Sequence, residues 1–198
     1  MLNRSGAVLK RSCCLLSMML ACWLLTASSG TLATENPAAS LTTSMALDVD
    51  ATLRGELPLA DRLVVYKAER KLYLYRHNQL LRSYAVHLGL RPEGKKEFEG
   101  DFRTPEGSYA LGNRNPNSAY FLSIQVNYPN AYDVAHANRN GLRPGGSIMI
   151  HGLPNNPRKS LDYYTRVDWT DGCIAVNNAD MVEIWLMTMS GTPIDIKP

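Results

Sequence analysis

The chain has 198 residues, a formal net charge of +3 and 45% hydrophobic residues, which is enough for one domain with a substantial core. Arg4, Lys10 and Arg11 account for the whole excess of positive charge, because they are three of the 21 Lys and Arg residues and the other 18 face 18 Asp and Glu. A neutral remainder without a block of basic residues gives no support to nucleic-acid binding.

The first 33 residues are typical of a secretory signal peptide. After the basic residues comes an apolar run from Cys13 to Ala27, and the segment ends in the small-residue stretch Thr31 to Ala33. The run is short for a membrane span, which needs about 20 residues. We therefore expect residues 1–33 to be cleaved and the protein to be exported to the periplasm or cell envelope. Two alternatives stay open, an uncleaved membrane anchor over Leu15 to Leu25 and a lipid attached to Cys22.

Residues 34–60 are rich in Ala, Thr, Ser and Leu without a clear period, which indicates a linker before one domain at 61–198. Three of the four cysteines, Cys13, Cys14 and Cys22, lie in the leader. Cys173 then has no disulfide partner within its own mature chain. We interpret this lone thiol as a catalytic group.

Segments rich in β-branched and aromatic residues predict a β-meander at the start of the domain, over 63–66, 72–75 and 80–88, with a turn at His77-Asn78. The charged stretch 90–103, which closes on the turn Thr104-Pro105-Glu106-Gly107, predicts a loop that frames a site. Further strands are predicted at 108–112, 121–126, 147–151, 174–176 and 193–196, and a short helix at 131–138.

The longest predicted helix lies near the C-terminus. Asn177 or Asn178 caps it, Asp180 favours its positive end and Gly191 stops it. Its predicted core-facing residues are Val182, Trp185, Leu186 and Met189. The fold class is therefore mostly β, with one C-terminal helix and short extra helices.

Two short signatures stand 22 residues apart, His151-Gly152 at the end of an apolar strand and Thr170 to Cys173 before another. If both mark strand ends on the same rim of a sheet, the His151 imidazole can reach the Cys173 thiol. A thiol with a pKa of about 8.5 is mostly protonated at neutral pH, so a cysteine nucleophile needs such a base. Gly172 permits a sharp turn, after which consecutive N–H groups can point at a developing oxyanion.

These signatures resemble the active-site pattern of the YkuD-type L,D-transpeptidases, bacterial cell-wall enzymes also called the ErfK/YbiS/YcfS/YnhG group. Leu63 to Leu88 resembles the opening hairpin of the family, residues 100–107 its Thr-Pro-x-Gly turn, and residues 191–194 its closing strand. The resemblance spans about 61–198 and implies a β-rich sandwich or barrel of the L,D-transpeptidase type.

The resemblance also implies a thioacyl mechanism on peptidoglycan stem peptides, without a metal or organic cofactor. Cys173 would attack the carbonyl on the L-centre of meso-diaminopimelate in a tetrapeptide stem and expel the terminal D-alanine. His151 would deprotonate Cys173 and later activate the acceptor. The Gly152 carbonyl would hold the His151 tautomer, and the N–H groups of Gly172 and Cys173 would form the oxyanion hole.

The chain departs from the family pattern in two places. Many members have His before the Gly-Cys pair, where this chain has Asp171, and an acidic side chain there disfavours the thiolate unless it faces the imidazolium. Many have Arg or Asn shortly after the cysteine, where this chain has Ala175 and Val176. The acceptor, whether another stem peptide, the lysine of a wall-linked protein or water, therefore stays open. The alternatives are a hydrolase of the same fold, a carboxypeptidase or amidase at diaminopimelate, and a non-catalytic wall-binding module.

Substrate contacts are expected from Thr170, Asp171 and Tyr128. Tyr120, Ser123 and Asn130 are weaker candidates for the same groove, for which an ordinary amphipathic strand and turn is the alternative. Asp101 and Arg103 are expected to pair and brace the Thr-Pro-Glu-Gly turn. The remaining histidines, His77, His87 and His136, lack close metal-ligand spacing with Cys173 and are interpreted as structural.

Overall fold

The computed structural model describes residues 57–198, so the predicted leader and most of the predicted linker lie outside the described residues. The strands in this range are β1 Arg62–Tyr66, β2 Lys71–Arg76, β3 Gln79–Ala85, β4 Gly107–Ser118, β5 Phe121–Val126, β6 Met149–His151, β7 Ile174–Ala175 and β8 Pro193–Lys197. The helices are α1 Ala131–Arg139, α2 Leu161–Tyr164 and α3 Asn178–Met187. None of these helices is long and apolar enough to cross a membrane.

The strands form one eight-stranded mixed sheet in the order β3-β2-β1-β8-β4-β5-β6-β7. The last strand of the chain is central, because β8 pairs in parallel with β1 and antiparallel with β4. The predicted mostly β class, with a C-terminal helix and short additional helices, is confirmed.

The β-meander at the start of the domain is β1, β2 and β3, which pair antiparallel. His77 and Asn78 join β2 to β3 with φ of 49° and 62°, as the two central residues of a type I′ hairpin turn require. The meander ends at Ala85, earlier than predicted. His87 instead exchanges two backbone hydrogen bonds of 2.8 Å with Ala175, which ties this segment to β7.

The strand β4 is longer than predicted and continues to Ser118 rather than ending at Gly112. Asn115, Pro116 and Asn117 resemble a turn in the sequence, but in the structure they extend the hairpin with β5 through two register shifts. The extension brings Asn115 and Ser118 to the cleft that contains Cys173.

The predicted buried face of α3 is wrong. Met181, Ile184 and Met187 are fully buried, whereas Val182 and Leu186 are 38% and 55% exposed. Both sets repeat at helical spacing and both are apolar, so the sequence pattern could not choose between them. The buried set faces the sheet at β5.

The start of α3 agrees with the sequence prediction, whereas its C-terminal end comes earlier than predicted. The Asn177 side chain accepts the Asp180 N–H at 2.8 Å, as predicted for the cap. The helix ends at Met187, because Thr188 is extended, and Gly191, with a φ of +88°, lies in the turn that follows. Trp185, predicted as core, is half-buried, and the Arg114 guanidinium lies 4.0 Å from its ring centre.

Candidate active site

The two sequence signatures meet on the neighbouring parallel strands β6 and β7, where His151 is in register with Ala175. Continuing that register backward sets Cys173 beside Met149. Side chains two residues apart in a strand point to the same face, so Cys173 and His151 share a face and line the same cleft. The predicted shared rim is wrong. His151 ends β6 and Cys173 precedes β7, and in parallel strands the end of one and the start of the other lie toward opposite rims of the sheet. Side-chain alternation brings the two groups together.

The turn before Cys173 depends on Gly172. Its φ is +131°, and a Cβ at this position would lie 2.6 Å from the carbonyl oxygen of Arg103. Thr170 is buried beneath the turn, where its hydroxyl donates to the Cys173 carbonyl at 2.8 Å and accepts the Gly172 N–H at 3.1 Å. Thr170 lines the cleft, but its hydroxyl is used in holding the turn rather than facing a substrate.

The predicted oxyanion hole of two N–H groups is not formed in this structure. The Gly172 N–H is directed at the Thr170 hydroxyl, because the sharp turn folds it back over the preceding residues. The Cys173 N–H has no hydrogen-bond acceptor among residues 57–198. Of the two predicted donors, Cys173 is the one that stays available.

His151 is buried, with only 4% of its surface exposed. Its Nδ1 lies 2.7 Å from the Gly152 carbonyl oxygen. A carbonyl can only accept, so Nδ1 carries the proton and Nε2 is left with its lone pair. Burial lowers the pKa of His151 to about 4, so the imidazole is neutral at physiological pH and Nε2 can accept a proton.

Gly152 also has a steric requirement. A Cβ there would lie 2.6 Å from the side-chain oxygen of Asn178, which accepts the Leu153 N–H at 2.8 Å. The glycine therefore lets the chain after His151 pass close to the start of α3. The role of Asn178 was not found from the sequence, where it was considered only as a helix cap.

The Cys173 thiol donates to the Ser147 carbonyl oxygen across 3.6 Å. Burial raises the pKa of Cys173, and the negative charge of Asp171 raises it further. A hydrogen bond from the Met149 N–H and the positive charge of Lys96 lower it, but burial dominates. The thiol is therefore protonated at neutral pH, beside a neutral imidazole.

Two cavities meet at the thiol. The first, of about 350 Å³, contains Cys173, His151, Asn115, Ser118, Tyr120, Ser123, Ser147, Met149, Trp169, Thr170 and Asp171. The second, of about 420 Å³, also contains Ser147, Asp171 and Cys173, and its other residues come from two loops, 96–102 and 145–148. The loop 90–103 thus lies where the sequence placed it. Asp171 is exposed and borders both cavities.

Aromatic side chains surround the imidazole of His151. The ring centre of Tyr120 lies 4.7 Å away and that of Trp169 lies 5.6 Å away. Trp169 is held by a hydrogen bond of 3.2 Å from its indole N–H to the Tyr164 carbonyl. These contacts bury the imidazole and are the physical cause of its lowered pKa.

Tyr128 does not contact the site, which corrects the expectation that it binds substrate. It is 4% exposed, and its hydroxyl donates to the Pro144 carbonyl at 2.9 Å. The chain leaves the sheet after β5, so the ring packs edge-on against Tyr109 instead of following the cleft. Ser123, a weaker candidate, lines the cleft, while Asn130 caps α1 by accepting the Asp133 N–H.

The predicted pairing of Asp101 with Arg103 is wrong. Asp101 binds the ammonium group of Lys96 at 2.7 Å and accepts the backbone N–H groups of Glu97 and Phe98. From Arg103 it accepts the backbone N–H and not the guanidinium. Lys96 and Asp101 are both 4% exposed, so this is a buried ion pair. In the sequence, Lys96 is one of several charged residues of the predicted loop 90–103, and no local pattern distinguishes it from its neighbour Lys95.

Within residues 57–198, no three His, Cys, Asp or Glu side chains are grouped so as to hold a metal ion. His87 is half-buried next to β7, and burial lowers its pKa. His136 stacks on Tyr132 along α1.

The fold and the site define a class, a β-rich domain in which a histidine held by a backbone carbonyl and a free cysteine share one surface cleft. A family model of the L,D-transpeptidase catalytic domain matches residues 60–196. The chain therefore belongs to the YkuD family of L,D-transpeptidase catalytic domains, which confirms the resemblance predicted from its signatures.

Two curated relatives illustrate the match. YafK of Escherichia coli (strain K12) is 38% identical over 94 residues, which are 44% of this chain and 36% of YafK. YkuD of Bacillus licheniformis is 27% identical over 142 residues, which are 69% of this chain and 66% of that protein. Both names assign L,D-transpeptidase activity without presenting it as demonstrated.

Among solved structures, Pgp2 of Campylobacter jejuni, described as a helical cell shape determining protein, superposes with a TM-score of 0.52 at 27% identity. The superposition covers 69% of this chain and 48% of Pgp2. The chain spans less than two thirds of YafK and of Pgp2, so the similarity concerns a part of each protein.

Proposed function

We propose that this protein is an exported cysteine L,D-transpeptidase that acts on peptidoglycan stem peptides. The observation that carries the proposal is the hydrogen bond of 2.7 Å between His151 Nδ1 and the Gly152 carbonyl. It leaves Nε2 as a base in the cleft that also contains the free thiol of Cys173. Membership of the L,D-transpeptidase family supports the substrate class.

In the first half-reaction, the Cys173 proton passes to His151 Nε2 and the thiolate attacks the carbonyl on the L-centre of diaminopimelate. The carbonyl oxygen becomes an oxyanion, and the Cys173 N–H is the donor available to stabilise it. The bond to D-alanine breaks as the imidazolium gives its proton to the leaving amine. A thioester on Cys173 remains.

In the second half-reaction, an acceptor amine attacks the thioester carbonyl while His151 Nε2 takes a proton from the amine. The carbon–sulfur bond breaks, the new amide is released, and the proton returns to the sulfur. The two cavities that meet at Cys173 give space for a donor on one side of the thiol and an acceptor on the other.

The resting state of the pair is neutral, because burial raises the pKa of Cys173 and lowers that of His151. Forming the thiolate and imidazolium together creates opposite charges that attract each other. The Met149 N–H and the Lys96 charge stabilise the thiolate side. A fixed donor and a fixed charge need no reorganisation during the reaction.

A hydrolase of the same fold is the second candidate, and one observation favours it. The positions where many relatives carry a basic residue after the cysteine are Ala175 and Val176, and both are fully buried. The chain thus has no cation there to anchor a second substrate. With water as acceptor, the same thioester would give a carboxypeptidase or an amidase.

Product analysis separates these outcomes. The purified protein is incubated with disaccharide-tetrapeptide, beside a Cys173→Ala variant, and products are measured by mass spectrometry. Release of D-alanine with a cross-linked dimer supports the transpeptidase, and release without a dimer supports the carboxypeptidase. Absence of any Cys173-dependent product, with protein-linked stems tested as well, would leave only a wall-binding module.

Export is part of the proposal and depends on residues 1–33. The intact mass of protein recovered from the periplasm of an expressing cell should correspond to a chain that begins after Ala33. A full-length mass would instead support the uncleaved anchor, and an added lipid mass on Cys22 would support a lipoprotein.

A further inference from the structure

A third cleft, of about 530 Å³, adjoins the 350 Å³ cleft that contains Cys173 and His151, and it has no role in the chemistry described above. We infer that it binds the glycan-proximal end of the peptidoglycan stem, with sugar against its aromatic wall and a stem carboxylate on Arg158 and Lys159. The identity of this ligand rests on the proposed function.

The new cleft and the catalytic cleft share a wall. Tyr120 and Trp169 line both, and their rings are stacked with centres 6.0 Å apart. On the far side, Tyr163 and Tyr164 continue the aromatic surface, and the Tyr164 ring centre lies 5.0 Å from that of Trp169. A ligand that leaves the catalytic cleft over Tyr120 and Trp169 therefore enters this third cleft.

The distances suit the stem peptide. The ring centre of Trp169 lies 5.6 Å from that of His151 and 5.0 Å from that of Tyr164. An extended peptide advances about 3.5 Å per residue, so the cleft begins within a few residues of the reacting carbonyl. In a stem, L-alanine and a γ-linked D-glutamate separate diaminopimelate from the sugar, and the γ-linkage leaves the glutamate α-carboxylate free.

The charged side chains that line the cleft, Arg158 and Lys159, are both positive. Neither the Arg158 guanidinium nor the Lys159 ammonium has an ion-pair or hydrogen-bond partner among residues 57–198, and no acidic side chain lines the cleft. The nearby Asp162 is already paired with Arg166 at 2.7 Å. Two cations without a counter-ion favour an anionic ligand such as a carboxylate.

The segment that carries these cations is fixed to the aromatic wall. The backbone N–H of Arg158 donates to the Tyr164 hydroxyl at 3.1 Å. Ser160 caps α2, and its side chain accepts the backbone N–H of Tyr163. The cations and the rings are thus held on one short piece of chain. A wall of aromatic faces with a few placed polar groups is the usual form of a small-ligand site.

The test measures binding in a Cys173→Ala background, in which no turnover occurs. Dissociation constants are measured for disaccharide-tetrapeptide and for N-acetyl-diaminopimeloyl-D-alanine, which lacks the sugar, L-alanine and D-glutamate. The ratio of these constants gives the contribution of the glycan-proximal part. Replacing Arg158 and Lys159 by Ala together should reduce the preference for the long ligand by about tenfold or more.

Arg166→Ala is the matched control, because it removes one positive charge from the same segment but lies outside the cleft. Tyr163→Ala, compared with Leu161→Ala, tests the aromatic wall in the same assay. An unchanged preference in the double variant and in Tyr163→Ala would overturn the inference, as would an equal loss for both ligands. If Cys173→Ala binds disaccharide-tetrapeptide but the wild-type protein does not convert it, the proposed function fails while the binding site is still tested. If Cys173→Ala does not bind disaccharide-tetrapeptide, the proposed function and the binding site both fail.

Discussion

The Nδ1 atom of His151 lies 2.7 Å from the carbonyl oxygen of its own neighbour, Gly152. The backbone carbonyl of the next residue thus orients the imidazole, whereas other catalytic histidines are oriented by the carboxylate of a separate side chain. A neutral acceptor does not stabilise an imidazolium as an aspartate would, and burial lowers the pKa of His151 to about 4. Both features favour a neutral pair before substrate binds.

This arrangement predicts slow alkylation of Cys173 at neutral pH. Burial and the charge of Asp171 raise the pKa of the thiol, so its thiolate fraction at pH 7 is below that of a free cysteine. The rate of reaction with iodoacetamide should be lower than that of a free cysteine and should still rise with pH beyond neutrality. Asp171→Asn removes a negative charge, which lowers the pKa of the thiol and should increase the rate several-fold at pH 7.

Asp162→Asn is the control for that measurement, because Asp162 is exposed, paired with Arg166 and outside both cavities that contain Cys173. A rate that Asp171→Asn leaves unchanged would show that the Asp171 carboxylate does not act on the thiol.

The His151 pKa also predicts an acid-sensitive fold. The folded state holds the imidazole neutral down to pH of about 4, whereas the ordinary value is 6.5. Between these values the unfolded chain binds more protons, so the free energy of unfolding falls as pH is lowered from 6.5 toward 4. Denaturant titrations at pH 7 and pH 5 measure the loss. In His151→Gln the loss should be smaller, and a loss equal to that of the parent would contradict the lowered pKa.

Gly172→Ala should destabilise the turn before the thiol. An added Cβ meets the Arg103 carbonyl oxygen at 2.6 Å, at a φ of +131°, so the free energy of unfolding should fall by ~2 kcal/mol or more. Gly141→Ala is the control, since its φ of +66° is also positive but a Cβ there meets nothing within 4 Å. Equal losses in thermal or denaturant unfolding would show that the Arg103 contact is unimportant.

Lys96→Met should have two effects, because Lys96 forms a buried ion pair with Asp101 and lies in the cavity next to Cys173. Leaving the Asp101 carboxylate buried without its cationic partner, with only backbone N–H groups to stabilise its charge, should cost ~3 kcal/mol in the free energy of unfolding. Loss of the positive charge should also raise the pKa of the thiol and slow its alkylation. Adding Asp101→Asn should recover part of the stability but not the alkylation rate. Full additivity of the two stability changes would contradict a direct pair.

Local sequence signals were sufficient where neighbours in the chain determine the structure. The positive φ angles of His77 and Asn78 follow from their residue types, and the meander follows from segments rich in β-branched and aromatic residues. The Asn177 cap was equally visible, because its partner is Asp180, only three residues away. The His-Gly and Gly-Cys signatures predicted the two residues that the parallel pair β6 and β7 brings into one cleft.

Features that depend on contacts between residues distant in the chain could not be predicted from the sequence. The exposed and buried faces of α3 are both apolar, and only packing on β5 selects Met181 and Ile184. The burial of Lys96 depends on how the loop folds over Asp101. Tyr128 was assigned to the groove because tyrosine suits a peptide site, yet it packs on Tyr109, far away in the sequence.

The central claim is that Cys173 carries an acyl group during turnover. The most direct test is the intact mass of the protein after brief incubation with disaccharide-tetrapeptide and quenching in acid, with peptide mapping of the modified residue. The account predicts an adduct equal to the donor minus D-alanine, located on Cys173 and absent from Cys173→Ala. D-alanine release that persists in Cys173→Ala, or an adduct on another residue, would contradict it.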